Sequence, residues 1–212
     1  MIGLLAALVL QSGAPELTIA YVSTPKVKFD GWEQEESTAN LQLTIEQTVL
    51  SQLAKKGVNA EGSKFIDLLA REERIDLSSS KNRNLESYAR LGTQANSPRL
   101  MIIEVNSFQQ KNTSPADLLN NPNKKGSQTE VQVRFELFDI KSSSLSKFGN
   151  QRKLEGKFAA GYFGTTKRTD LSGDPSGVAT MIRLTNTKKM EAIGLAVWAA
   201  IEFPLMNALG KN

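Results

Sequence analysis

Between Thr129 and Ile140, TEVQVRFELFDI, apolar and polar residues alternate. Val131, Val133, Phe135 and Leu137 fall on one side of an extended chain, with Gln132, Arg134 and Glu136 on the other. That period of two predicts a β-strand with one buried and one solvent-facing side, whereas a helix would scatter the same residues around its circumference. Burying each apolar side chain is worth roughly 1.5–3 kcal/mol before ordering entropy is subtracted. On this pattern Phe135 belongs to the core and Arg134 to the surface, where its removal should be near neutral.

The same reading gives the elements before this strand. Leu17–Val22 is a short β-rich run closed by Pro25, and Lys26–Glu36 is a polar connection whose Trp32 folds back over the core. Over Thr38–Lys56 the residues Leu41, Ile45, Val49 and Leu53 step by four, with Leu50 widening the stripe of an amphipathic helix. Ser37 or Thr38 can cap its start, Lys55 and Lys56 suit its negative end, and Gly57 supplies a left-handed stop. Val58–Ala60 reads as a short edge strand. Lys64–Arg74 is a second helix with Ser63 as its cap and Ile66, Leu69 and Ala70 inward. Its Arg71-Glu72-Glu73-Arg74 run reads as a solvated face, since adjacent helical residues point about 100° apart. After a Ser-rich loop, Asn84–Leu91 forms a third helix ended by Gly92.

Leu100–Phe108 is apolar on both faces at first, which places it centrally in a sheet. A long polar connection with Pro115 and Pro122 leads to the Thr129 strand, and the polar turn Lys141–Ser144 makes the following chain a hairpin partner. That return strand breaks near Gly149-Asn150 and resumes over Arg152–Phe163. A Gly/Ser/Asp/Pro-rich loop over Thr165–Gly177 precedes a short strand, Val178–Leu184. The closing helix, Lys188–Leu209, has the stripe Met190, Ile193, Val197, Ile201 and Leu205, with Pro204 kinking or ending it. The expected fold class is α+β, a single mixed or antiparallel sheet of about five strands with helices packed on one or both faces. Residues 17–212 form one domain with mobile loops near 107–128 and 164–177. Residues 1–16 stand apart: Ile2–Leu10 is an apolar run of nine residues, too short to cross a bilayer as a helix. It reads as an export signal, with Ser12 and Ala14 near a cleavage point, or as a buried tail; no Lys or Arg precedes it.

Composition narrows the chemistry. Among 212 residues there is no histidine and no cysteine, which removes the commonest general base, disulfides, thiolate chemistry and the usual zinc ligands. Neither Gly-x-Ser-x-Gly nor a P-loop is present. No catalytic residue, cofactor or metal is therefore expected. The 26 basic residues are interspersed with 22 acidic ones for a net charge of +4, which argues against nucleic acid as a partner. The closing helix is nearly apolar all round, and Trp198, Phe203 and Leu195 lie off its main stripe. These three are the expected partner-binding residues. The competing reading hides that second face in a groove between the sheet and Ile2–Leu10.

The order is strand, helix, weak strand, helix, short helix, strand, hairpin and closing helix. Within it stand Phe65-Ile66-Asp67-Leu68-Leu69-Ala70-Arg71-Glu72-Glu73, then Leu91-Gly92 before Leu100–Val105, then Phe138-Asp139-Ile140 before Lys153–Phe163. This arrangement resembles the periplasmic domain shared by the curli-secretion channel protein and the lipoprotein activators of penicillin-binding proteins, over about Leu17–Leu209. The chain departs from that pattern in lacking a lipid-accepting cysteine and in placing Asn106 where a glycine usually closes the central strand. The resemblance implies a non-enzymatic accessory or assembly protein of the bacterial envelope that acts through a protein partner or self-association, with peripheral membrane association as a further option. It implies the periplasm or the periplasmic face of the outer membrane, against a cytoplasmic alternative. The rival function is a subunit of an oligomeric outer-membrane secretion channel, in which Ser107–Gln128 and Lys157–Met181 rearrange into membrane-crossing hairpins. Leu154–Tyr162 partly fits a barrel strand, whereas Ser107–Gln128 is too polar and proline-broken. No functional residue carries over from the resemblance.

Overall fold

Alternating and helical periods resolve, among the described residues, into one open mixed sheet of five strands with four helices. The computed structural model describes residues 14–79, 83–112, 127–156 and 175–211, with side chains over 14–79, 83–110, 129–148 and 186–211. In chain order the elements are β1 (Leu17–Ser23), α1 (Gln34–Lys55), β2 (Ala60–Glu61), α2 (Lys64–Glu72) and α3 (Leu85–Gln94). They continue with β3 (Arg99–Asn112), β4 (Ser127–Asp139), β5 (Ser144–Gly156) and α4 (Pro175–Leu209). The strand order is β2-β1-β3-β4-β5, so β3 is central, as its doubly apolar start requires. Strands β1 and β2 run parallel with Leu17 opposite Ala60, and the short turn between β4 and β5 makes that pair antiparallel.

The residues gather into two compact units. The first comprises the chain up to Tyr21, Leu50–Ile103 and Phe135–Lys147. Its core includes Ala20, Ile66, Ala70, Leu77, Tyr88, Leu91, Leu100, Ile102 and Phe138. Phe138 lies on the same side of β4 as Glu136, the side expected to face solvent throughout. Here α2 and α3 cover that side, while Phe135 and Leu137 are buried on the other. Gly92 does not end α3, which runs on to Gln94. A Cβ on Gly92 would collide with Ile140 Cδ1, so this glycine serves close packing rather than helix termination. The second unit comprises Val22–Val49, Glu104–Arg134 and Phe148–Asn212. Its buried residues include Val105, Val131 and Val133 with the stripes Leu41, Ile45, Val49 and Met190, Ile193, Val197, Ile201, Leu205. Arg134 is not an isolated surface charge, because its Nε pairs with the carboxylate of the largely buried Glu104.

Local chemistry explains several element ends. Helix α1 begins at Gln34, four residues before Thr38, so neither Ser37 nor Thr38 stands at its start, and the Thr38 hydroxyl donates back to Gln34 O at 2.7 Å. Ser37 Oγ accepts from Phe29 N at 3.0 Å and Thr38 Oγ1 from Val27 N at 3.2 Å, which fixes the β1–α1 connection. Trp32 packs edge-on against the buried Phe29, with ring centroids 6.4 Å apart. At the far end Gly57 has φ +71°, and Val58 N donates to Leu53 O at 3.0 Å, the expected left-handed stop. Asn84 caps α3 by accepting from Ser87 N, whereas Ser63 makes no side-chain cap for α2. Strand β5 runs through Gly149-Asn150 without a break.

The short strand expected over Val178–Leu184 is instead the start of α4. Pro175 stands in its first turn, where a missing N–H costs nothing, and the helix continues unbroken to the apolar stripe. It also continues past Pro204 to Leu209. Of the segments expected to be loops or membrane hairpins, Ser107–Asn112 belongs to β3 and Pro175–Met181 to α4. Residues 113–126 and 157–174, and the N-terminal segment 1–13, lie outside the described residues.

Candidate interaction surface

In the second unit α4 is held along its length by polar and steric fits. The Asn186 side chain is fully buried and its Nδ2 donates to Asp30 O at 2.8 Å. Lys189 Nζ lies 3.5 Å from the Asp30 carboxylate, and Gln110 Nε2 donates to Lys189 O at 3.0 Å. Gly194 lets α1 approach, since a Cβ there would stand 2.6 Å from Thr48 Oγ1. Small side chains at Ala192, Ala196 and Ala200 extend the buried face beyond the main stripe. Length and composition would let Asn186–Leu209 cross a membrane, but 61% of its most apolar window is buried within the fold. Packing in the core accounts for that composition.

The three residues singled out from the sequence do not form one surface. Trp198 is buried at 6% exposure, Leu195 is half-buried, and Phe203 is 76% exposed. With about 100° per residue, Trp198 and Phe203 point roughly 140° apart on the helix. Phe203 shares the outer arc with Leu195, half-buried Ala199 and exposed Asn207. An aromatic ring this open, on a helix whose main stripe is buried, is the plainest unfilled contact among the described residues of the second unit.

The first unit carries the densest polar cluster. Glu136 on β4 accepts a hydrogen bond from Tyr88 Oη at 2.6 Å. Arg83, whose side chain is 2% exposed, lies 3.6 Å from the same oxygen, and Lys147 reaches the other oxygen at 3.5 Å. Tyr88 stacks on Phe138 with centroids 5.3 Å apart. Burial, then the bond to Glu136 and its negative charge, push the Tyr88 phenol far above its ordinary pKa. A tyrosine kept protonated against a carboxylate that also faces the charges of Arg83 and Lys147 is a poor acid and a poor base. The cluster fastens α3 and the segment before it to the sheet; sequence reading missed it because its members lie far apart along the chain. Among the described residues no group of three His, Cys, Asp or Glu could hold a metal.

Ala89, Arg90, Thr93 and Gln94 line a groove of about 340 Å³ on the outer side of α3. Arg90 and Gln94 are engaged there by Glu73, at 3.2 and 2.8 Å, so that carboxylate belongs to the α2–α3 contact. On α2, Phe65 is 50% and Leu68 54% exposed.

No family model matches the chain, and no curated protein matches it. Among solved structures, the lipoprotein GNA1162 from Neisseria meningitidis is 11% identical with a TM-score of 0.39, over 82% of this chain and 95% of that one. The hypothetical protein CT253 from Chlamydia trachomatis is 15% identical with a TM-score of 0.36, over 86% and 96%. A dodecamer of a PelC variant from Paraburkholderia phytofirmans is 13% identical with a TM-score of 0.31, over 84% and 87%. All three are bacterial proteins. At these identities and scores the similarity assigns neither a family nor a function to this chain.

Proposed function

We propose that the protein is a non-enzymatic accessory or assembly factor of the bacterial envelope that works by binding another protein. The single observation carrying the binding role is Phe203, an aromatic side chain 76% exposed near the end of a helix whose main apolar stripe is buried. Aromatic anchors with small or apolar neighbours are frequent hot spots, and Leu195 and Ala199 extend the arc on which Phe203 stands. The envelope assignment is supported by the resemblance carried by Phe65–Glu73, Leu91-Gly92 and Phe138-Asp139-Ile140, and by the apolar run Ile2–Leu10. The absence of histidine and cysteine supports a binding rather than a chemical role.

Two variants separate the structural from the binding part of α4. Trp198→Ala should cost about 3–5 kcal/mol of stability, because it empties a buried site. Phe203→Ala should change stability by less than about 0.5 kcal/mol and should abolish recovery of the partner in pull-downs from bacterial envelope extracts. It should also lower the native mass if the partner is a second copy. A Phe203→Ala protein that keeps both its native mass and every captured partner sinks the proposal.

A further inference from the structure

The outer side of α2 is a short strip with a symmetry of its own. Lys64, Phe65, Leu68, Arg71 and Glu72 are all exposed, and at about 100° per residue they share roughly one third of the helix circumference. Asp67 is half-buried on the flank of this strip. Among the described residues no ion pair engages Lys64, Arg71 or Glu72, although their neighbour Glu73 takes both Arg90 and Gln94. The apolar residues here stand open as well, Phe65 by 50% and Leu68 by 54%. The sequence of the strip is a palindrome of opposites about Leu68. Lys64 and Glu72 lie four residues to either side of it, and Phe65 and Arg71 three. The strip belongs to the first unit, whereas Phe203 belongs to the second.

We propose that α2 is a self-association surface, packing antiparallel on α2 of a second copy across a two-fold axis at Leu68. Leu68 then meets Leu68, Phe65 meets Arg71, and Lys64 meets Glu72 of the second copy. Each unlike pair forms twice, because a two-fold contact uses the same patch on both sides. A guanidinium is attracted to an aromatic face, and opposite charges at the two ends fix the register. A parallel pairing would set Lys64 on Lys64 and Glu72 on Glu72, so charge alone selects the antiparallel one. The strip carries both signs in balance, which offers little to a surface of one sign and suits a copy of itself. Its nine residues span only about 14 Å of helix, so the contact is small and reversible.

The test is sedimentation equilibrium of the full-length protein over a concentration series at low salt. The wild type should pass from monomer to dimer as concentration rises. Lys64→Glu and Glu72→Lys, each alone, set like charges opposite one another twice and should weaken dimerisation by about tenfold or more. Mixing these two single variants should give a mixed dimer, because both end contacts are then again an acid against a base. Each substitution places its new charge favourably for the helix dipole, an acid at the first residue of α2 and a base at the last, so neither should lower the denaturation midpoint. Leu68→Ser removes the apolar centre and should leave a folded monomer. A wild type that stays monomeric at every concentration overturns the proposal. Single variants that dimerise as well as the wild type, or a mixture that associates no better than its components, overturn it too. Self-association lost in Phe203→Ala but kept in Lys64→Glu runs through α4 and also overturns the α2 contact.

Discussion

Replacing Tyr88 by Phe removes one oxygen from the centre of the polar cluster and little else. The ring keeps its place, because its stacking on Phe138 at 5.3 Å and its 1% exposure depend on shape. The lost bond is the 2.6 Å contact to Glu136, and a hydrogen bond to a charged acceptor is worth about 1.5–3 kcal/mol. Glu136 keeps Arg83 and Lys147, so the lower half of that range, about 1.5–2 kcal/mol, is expected. Urea denaturation at neutral pH reads this as a lower midpoint at an unchanged slope. A second reading comes from alkaline pH. The folded-state pKa of Tyr88 is raised by burial first and by Glu136 second, so the fold favours the protonated phenol. That stabilisation is complete below the unfolded pKa of about 10 and is lost as pH rises toward the folded value, by about 1.4 kcal/mol per pH unit. Tyr88→Phe has no such proton, so its stability should fall less steeply above that pH. A neutral-pH loss under about 0.5 kcal/mol together with parallel alkaline slopes would refute the assignment of the cluster as a fastening.

Four further outcomes are expected. Phe135→Ala should cost about 3–5 kcal/mol by opening a cavity at a site 1% exposed. Arg134→Ala should cost about 1–2 kcal/mol because it strips a partner from Glu104, and equal denaturation midpoints for the two variants would contradict both. Gly194→Ala should destabilise by about 1–3 kcal/mol through overlap with Thr48; Thr48→Ala in the same chain should restore most of that, and an additive pair would show that α1 and α4 do not meet there. Asp139 is held below the usual carboxylate pKa, chiefly by the Ser142 N–H and also by Arg99. Its contribution is therefore present above a pH of about 4 and lost as pH falls through the folded value. Asp139→Asn keeps an acceptor for Ser142 but loses the ion pair, so it should cost under about 1 kcal/mol at neutral pH and flatten the acid limb in a denaturation series.

Local pattern carried much of this architecture. The two-residue period of Val131–Leu137 and the four-residue step Leu41–Ile45–Val49–Leu53 each report burial of one face, and those residues are all buried. What periodicity could not report is who covers the second face. Glu136 reads as a surface residue because its own strand alternates; only the arrival of Tyr88 and Arg83 from far along the chain removes it from water. The same limit explains Gly92, which looks like a helix stop until Ile140 is seen against it. It explains Ser37 as well, whose hydroxyl serves the backbone of Phe29 rather than its own helix. Over Val178–Leu184 the β-branched residues and the short apolar run favoured a strand, but Pro175 is equally a first-turn helix residue. The continuity of a 35-residue helix decided between them.

The closing helix shows why the candidate site was only half legible. An apolar composition states that a surface must be covered, without saying whether the same chain or another covers it. Trp198, Phe203 and Leu195 were equivalent on that ground, yet they divide between interior, rim and exterior. The division follows from how α4 is seated rather than from residue type. Close approach at Gly194 and the polar ties at Asn186 and Lys189 set the rotation of the helix, and that rotation turns Trp198 inward and Phe203 outward. The binding surface proposed on α4 would therefore inherit its geometry from the residues that seat the helix. On the proposed role, loosening Gly194 or Asn186 should weaken recognition through Phe203 even where the aromatic ring itself is unchanged.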